Sequence, residues 1–325
     1  TNQQLVNNKK RRIFYLKYIE IGVIAFIVSY ILTPYIARVG KKENMVDHPG
    51  HRKVHEEAIP NLGGIVIFFG FLLSLLFVVP IEGQYKTLLI GGVIILLLGI
   101  VDDIVDLSPK YKFIIQLVPA LLVVIYNSNL INGFIVHQLA SLDLLGYLIY
   151  PLLILWIVGI TNSINLIDGL DGLACGVSII ALGTFLILGL LQNMEILNII
   201  TIALLLSMLA FLKYNFFPAK IFLGDSGSTF AGFMLASVSA LWAIKGENAF
   251  FLIVPVIILA LPIFDTLFAI LRRYRGHRPI FQADQGHLHH RLLARGIEHK
   301  KVVILLWGIS LAFSIIALIF VFSIR

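Results

Sequence analysis

Eight of the chain's ten aspartates fall in five polar stretches set between long apolar runs. In TNSINLIDGLDGLACG (161–176), Asn165, Asp168 and Asp171 recur every third residue. On a helix they would line one side. Gly169 and Gly172 weaken a regular helix there and let a ligand or a backbone come close. A plain turn would not need two acids and two amides. GIVDDIVDLSPKYK (99–112) sets Asp102 beside Asp103, with Lys110 and Lys112 following. Adjacent carboxylates repel unless a cation or a base shares their field. A solvated helix end would account for the pair, as would a metal or phosphate site. Carboxylates with oxygen-rich neighbours suit a hard cation, Mg²⁺ or Mn²⁺, which commonly also binds substrate phosphates.

The other three stretches add donors of different kinds. NFFPAKIFLGDSGS (215–228) places Asp225 between Gly224 and Gly227, ahead of an apolar run, with Asn215 and Lys220 close by. Helix capping explains an Asp or Ser at such a place, and free backbone N–H groups there also favour phosphate. RGHRPIFQADQGHLHHRLLARG (275–296) clusters His287, His289 and His290 with Arg278 and Arg291. HxHH has the look of metal spacing, but carboxylates dominate the other stretches and no cysteine is near. Imidazole and guanidinium donors around a pyrophosphate are the preferred reading. DHPGHRKVHEEAIPNLGG (47–64) carries Asp47 and His55 among other charges, and lipid head-group binding is its simplest explanation. Asp265, inside an apolar run, reads as a buried partner for a basic residue.

The elements that must position these residues are membrane helices. The 325-residue chain is 59% hydrophobic and 13% charged, against about 25% charged residues in soluble domains. Apolar runs at 14–37, 62–80, 87–101, 112–126, 144–160, 173–191, 196–212, 226–244, 249–271 and 302–322, with a partial one near 130–142, predict an all-α polytopic bundle of about 10–11 spanning helices. The whole chain, 1–325, is read as one integral-membrane domain. The first run reads as a retained span, not a cleaved signal. The loops 38–61, 102–111, 161–172, 213–225 and 272–301 carry most of the Lys and Arg, so the positive-inside rule puts them, and the active site, on the cytoplasmic face of the cell membrane. The amino-terminal KKRR (9–12) runs against this assignment. The net charge of +7 is thereby assigned to loops and not to nucleic-acid binding. The single Cys175 excludes an intrachain disulfide.

Five such motifs in this order, from about residue 46 to 296, resemble the polyprenyl-phosphate N-acetylhexosamine-1-phosphate transferases. The resemblance implies transfer of a sugar phosphate from a UDP-N-acetylhexosamine to undecaprenyl or another polyprenyl phosphate at the membrane, with Mg²⁺ (Mn²⁺ as a substitute) and UMP as leaving product. It implies catalytic roles for Asp102, Asp103, Asp168 and Asp171, and a metal site at Asp225 with Asp168. Nucleotide and phosphate binding would fall to Asn165, Asn215, Lys110, Lys112, Lys220, Asp47 and His55. His287, His289, His290 and Arg278 would hold the pyrophosphate or sugar. HLHHRLL lacks the three adjacent histidines of the peptide-bearing muramyl branch. It looks more like the branch that uses UDP-N-acetylglucosamine to prime teichoic acid, O-antigen or related glycans. Whether the protein forms a homodimer is left open.

The expected chemistry is direct attack by the lipid phosphate, with a two-step aspartyl-phosphate route as rival. Two readings from other classes are set against it. A secondary transporter would gather its charges near the midplane, not on one face. An intramembrane aspartyl protease would need neither the Asp102–Asp103 pair nor the histidine-rich loop.

Overall fold

The computed structural model describes residues 2–47, 58–246, 248–277, 279 and 286–324, and of residues 2–15 the backbone alone. His55 and Arg278 lie outside the described residues. The chain is helical nearly throughout: α1 (Asn2–Lys42), α2 (Gly63–Val78), α3 (Gly83–Val105), α4 (Pro109–Tyr126), α5 (Ser128–Gln138), α6 (Ile149–Leu166), α7 (Leu173–Leu191), α8 (Glu195–Asn215), α9 (Gly224–Ile244), α10 (Ile253–Ile258), α11 (Ala260–Arg275), α12 (Leu288–Leu293) and α13 (His299–Ile324). A two-stranded antiparallel ladder, Val46–Asp47 with Ile59–Pro60, ties the end of α1 to the start of α2.

Each of the ten apolar runs becomes helix, but the count of spans is lower than expected. Among the described residues eight helical stretches are long and apolar enough to cross a membrane, and a bent pair makes nine. The pair is α10 and α11, meeting at 76°. Leu259 between them leaves helical geometry, so the apolar run 249–271 is a broken span. α2 has only 16 residues, and at 1.5 Å per residue it falls short of the roughly 30 Å hydrocarbon core. The partial run near 130–142 is the 11-residue α5, again too short.

α9 is the axis of the bundle. Every residue from Ser226 to Ile244 is buried, and α2, α3, α6 and α7 pack around it. Its sequence, GDSGSTFAGFMLASVSALWAI, explains why. Hydrocarbon gives apolar helices no reason to associate, so small residues that let backbones approach are what hold them. At the contact with α3 the requirement is absolute. A Cβ on Gly99 would lie 2.3 Å from the Ser226 Cα. The close approach brings the last turn of α3, with its two aspartates, onto the first turn of α9.

Candidate active site

The ends of the helices converge at one end of the bundle. The carboxyl ends of α3, α6 and α8 meet the amino ends of α2, α4, α7, α9 and α13 around a cavity of about 660 Å³. Seven aspartates line it: Asp47, Asp102, Asp103, Asp106, Asp168, Asp171 and Asp225. Asn61, Asn215, Phe222, His290 and His299 complete much of the wall. KKRR (9–12) lies in the opposite, amino-terminal half of α1.

Asp103 is a cap. Its carboxylate accepts the backbone N–H groups of Asp225 at 2.8 Å and Ser226 at 3.0 Å, and the Asn61 amide reaches it at 3.3 Å. These are the free donors of the first turn of α9, where a negative charge also meets the positive end of the helix dipole. Gly224, at φ +72°, supplies the left-handed turn into the helix, and a Cβ there would lie 2.3 Å from the Asn61 carbonyl oxygen. Asp225 is thus fixed by the carboxylate of another helix.

Lys112 stands between the remaining acids of this junction. Its ammonium pairs with Asp102 and, at 3.3 Å, with Asp225. Asp102 is buried and also accepts the Leu107 N–H at 2.8 Å. The other oxygen of Asp225 accepts the Asn165 amide at 2.7 Å, and the same amide donates to Ser228 Oγ at 2.9 Å. One cation therefore bridges the acids that α3 and α9 bring together, and one amide from α6 orients Asp225.

The segment after α6 supplies the opposite wall. Asp168 is held well above the ordinary carboxylate range, first by burial and then by the charges of Asp225, Asp103 and Asp171. A site that raises a carboxyl in this way favours a cation entering it. Asp171 is turned to other work: its carboxylate accepts the Ala219 N–H at 2.9 Å, and its own N–H donates to His299 Nε2 at 3.0 Å. The Asn215 amide donates to the Ile221 carbonyl at 3.0 Å, while its buried oxygen has no protein partner.

The three histidines separate. His290 lines the cavity. His287 is buried and its Nδ1 lies 2.7 Å from Asp265. The other oxygen of Asp265 accepts the Leu288 N–H at 2.7 Å. His289 is 2% exposed and stands on Gly169, where a Cβ would come within 2.3 Å of its Nε2. Burial, with the neighbouring His290 adding, lowers its pKa to about 3. Of the three, His290 is thus the one that faces the cavity. His287 and His289 are occupied in seating α12, because Asp265 and Gly169 have drawn them inward. Lys110 and Lys220 are exposed and line no part of the cavity; of the predicted lysines Lys112 is the one that pairs with aspartates of the cavity wall.

Asn61, Asp106 and His299 belong to the wall although the sequence reading gave them no role. Asn61 follows a proline in a motif read for its charges. Asp106 sits at the carboxyl end of α3 with φ 50°, a backbone state invisible in composition. His299 starts α13, beyond the last motif. Among the described residues no three His, Cys, Asp or Glu side chains close into a metal cluster of their own.

Residues 85–243 match the family model of glycosyl transferase family 4. The chain is 43% identical over 302 residues to a protein of Bacillus subtilis (strain 168) named probable undecaprenyl-phosphate N-acetylglucosaminyl 1-phosphate transferase, covering 91% of this chain and 84% of that protein. It is 33% identical to the decaprenyl-phosphate N-acetylglucosaminephosphotransferase of Mycobacterium leprae (strain TN), over 92% of this chain and 83% of the other. A phospho-N-acetylmuramoyl-pentapeptide-transferase of Halalkalibacterium halodurans is 30% identical, over 94% and 97%.

Proposed function

The chain belongs to glycosyl transferase family 4, and on that premise we propose that it transfers N-acetylglucosamine-1-phosphate from UDP-N-acetylglucosamine to undecaprenyl phosphate, giving the lipid diphosphate sugar and UMP. The observation that carries the reading is the junction of α3 and α9. Asp102, Lys112 and Asp225 form a charged bridge at the mouth of an apolar bundle, where a water-soluble nucleotide and a lipid phosphate can meet. The greater similarity to N-acetylglucosamine-1-phosphate transferases than to the pentapeptide enzyme supports this sugar. The positive-inside rule supports a site facing the cytoplasm of the cell membrane. Priming of a surface glycan such as teichoic acid is the pathway we infer.

The residues fit Mg²⁺. The donors are hard oxygens, and Asp168 is destabilised as an anion by burial and then by three neighbouring carboxylates. Mg²⁺ is usually held by one or two carboxylates together with waters and substrate phosphates, not by an all-protein cage. Asp225 and Asp168 would hold it here, with Mn²⁺ as a substitute. When bound, the cation neutralises phosphate charge and aligns the groups that react.

The chain's own side chains do the rest. A phosphate monoester has a second pKa of about 6, so the acceptor arrives largely dianionic and needs no strong base to attack the β-phosphorus. The obstacle is bringing two polyanions together. Lys112 offers its ammonium to a phosphate oxygen in exchange for one of its carboxylates. Asp102 holds Lys112 in place, Asn165 keeps Asp225 oriented, and Asp103 fixes the start of α9. Asp171 and Asn215 shape the nucleotide side, and His290 reaches in from α12.

The test is UMP release by the purified protein with UDP-N-acetylglucosamine, Mg²⁺ and undecaprenyl phosphate, each omitted in turn. Release that requires all three supports the reading. Release only with UDP-N-acetylmuramoyl-pentapeptide would move the chain to the muramyl branch. Exchange of labelled UMP into UDP-sugar without lipid would replace direct displacement by the two-step route.

A further inference from the structure

A second cleft lies between α11, α12 and α13 and shares no lining residue with the aspartate cavity. It holds about 240 Å³ and continues into a more open groove of about 280 Å³ through Phe268, Arg272 and Arg291. The walls are apolar: Phe264, Phe268 and Phe313 are among them. The rim is cationic. The Arg272 guanidinium packs on Gly286, where a Cβ would come within 2.3 Å of it. Arg275 and Arg291 stand exposed beside it. Among the described residues that line the cleft the one acid, Asp265, is already engaged by His287 and the Leu288 N–H.

We propose that this cleft seats an anionic bilayer phospholipid, with one acyl chain along Phe264, Phe268 and Phe313 and its phosphate on Arg272, Arg275 and Arg291. Three physical arguments converge. The cleft opens on a membrane-spanning element at its basic end, where head groups lie. Guanidinium forks match phosphate geometry, and basic pockets between spanning helices attract anionic head groups. A phosphate on this rim cannot be the reacting one. Between the rim and the aspartates lie Asp265, held by His287, and His289, which stands on Gly169 of the cavity wall; Asp265 and His289 line a void of only about 10 Å³. The occupant is therefore a resident lipid, distinct from the acceptor. Through Asp265 it would brace the same α12 that carries His290 to the active cavity.

Native mass spectrometry of the detergent-released full chain tests this, with dioleoyl phosphatidylglycerol, dioleoyl phosphatidylcholine and undecaprenyl phosphate as probes. The first phosphatidylglycerol should bind about tenfold more tightly than phosphatidylcholine. The double variant Arg275→Gln/Arg291→Gln, which keeps Arg272, should lose most of that preference, and the single Arg291→Gln should lose a smaller part of it. Excess undecaprenyl phosphate should bind alongside phosphatidylglycerol without displacing it. Equal binding of the two phospholipids by the unmodified chain would overturn the proposal, and that arm needs no variant to fold. A preference undiminished in the double variant would overturn it too. Mole-for-mole displacement by undecaprenyl phosphate would give the cleft to the acceptor.

Discussion

Lowering the pH should weaken the fold through His289, and replacing that residue should remove the effect. The imidazole is 2% exposed, pressed on Gly169, and titrates near 3 in the folded chain against an ordinary value of 6.5. Between those values the unfolded chain carries a proton that the folded chain refuses, so stability falls as pH falls. From pH 7 to pH 5 the linkage integrates to about 2 kcal/mol for this one group. Asp168 acts with the opposite sign: its raised carboxyl takes up a proton on folding, so its contribution falls as pH rises. The unmodified chain therefore shows a sum, and the comparison with His289→Gln isolates the histidine. Denaturant or thermal melting in detergent, followed by tryptophan fluorescence at pH 7 and pH 5, provides the measurement. His289→Gln should be less stable at pH 7, because the packing on Gly169 is lost, yet should lose about 2 kcal/mol less than the unmodified chain on acidification. Equal losses in both proteins would refute the buried, neutral imidazole.

Three further outcomes follow from the geometry of the α3–α9 junction. Asp103→Asn keeps the shape but replaces one accepting oxygen by an N–H donor facing a backbone N–H. It should cost about 1.5–3 kcal/mol in melting experiments and lower activity by loosening Asp225, whereas a base-only role would leave stability unchanged. Gly99→Val must push α3 off Ser226 and should destabilise by at least about 1–3 kcal/mol, visible as loss of monodisperse protein on extraction. Asn165→Ala removes the amide that holds both Asp225 and Ser228. It should reduce turnover about tenfold to a hundredfold, the cost expected when the partner that orients a metal-binding carboxylate is lost, with a higher Mg²⁺ requirement as the diagnostic sign.

Much of this arrangement was legible in the chain. Apolar runs located every helix but the short α12, because membrane helices announce themselves by composition, and aspartates at the ends of those runs had to gather wherever the ends gather. Asp102, Asp103, Asp168, Asp171 and Asp225 do so. What composition could not convey was which partner each acid would find. Asp103 reads like Asp102 in sequence, yet one caps α9 and the other pairs with Lys112. Lys110 and Lys112 differ by two positions, enough to turn one outward. His287 and His289 were indistinguishable from His290 until Asp265 and Gly169 claimed them. α2 and α5 were counted or half-counted as spans because hydropathy measures the run and not the helix that finally forms. His299 lies outside every motif, and only the packing of α13 against α7 brings it to Asp171.

The most direct measurement is UMP release by Asp225→Asn beside the unmodified protein, at saturating UDP-N-acetylglucosamine, undecaprenyl phosphate and Mg²⁺, with melting temperature recorded for both. The change keeps the side chain's size and leaves Asp103 its two backbone donors. Turnover should fall about a thousandfold, as expected when preorganised charge at a phosphoryl centre is removed, with folding retained. A folded Asp225→Asn protein that still releases UMP at a comparable rate would move the chemistry away from the α3–α9 junction and contradict the account.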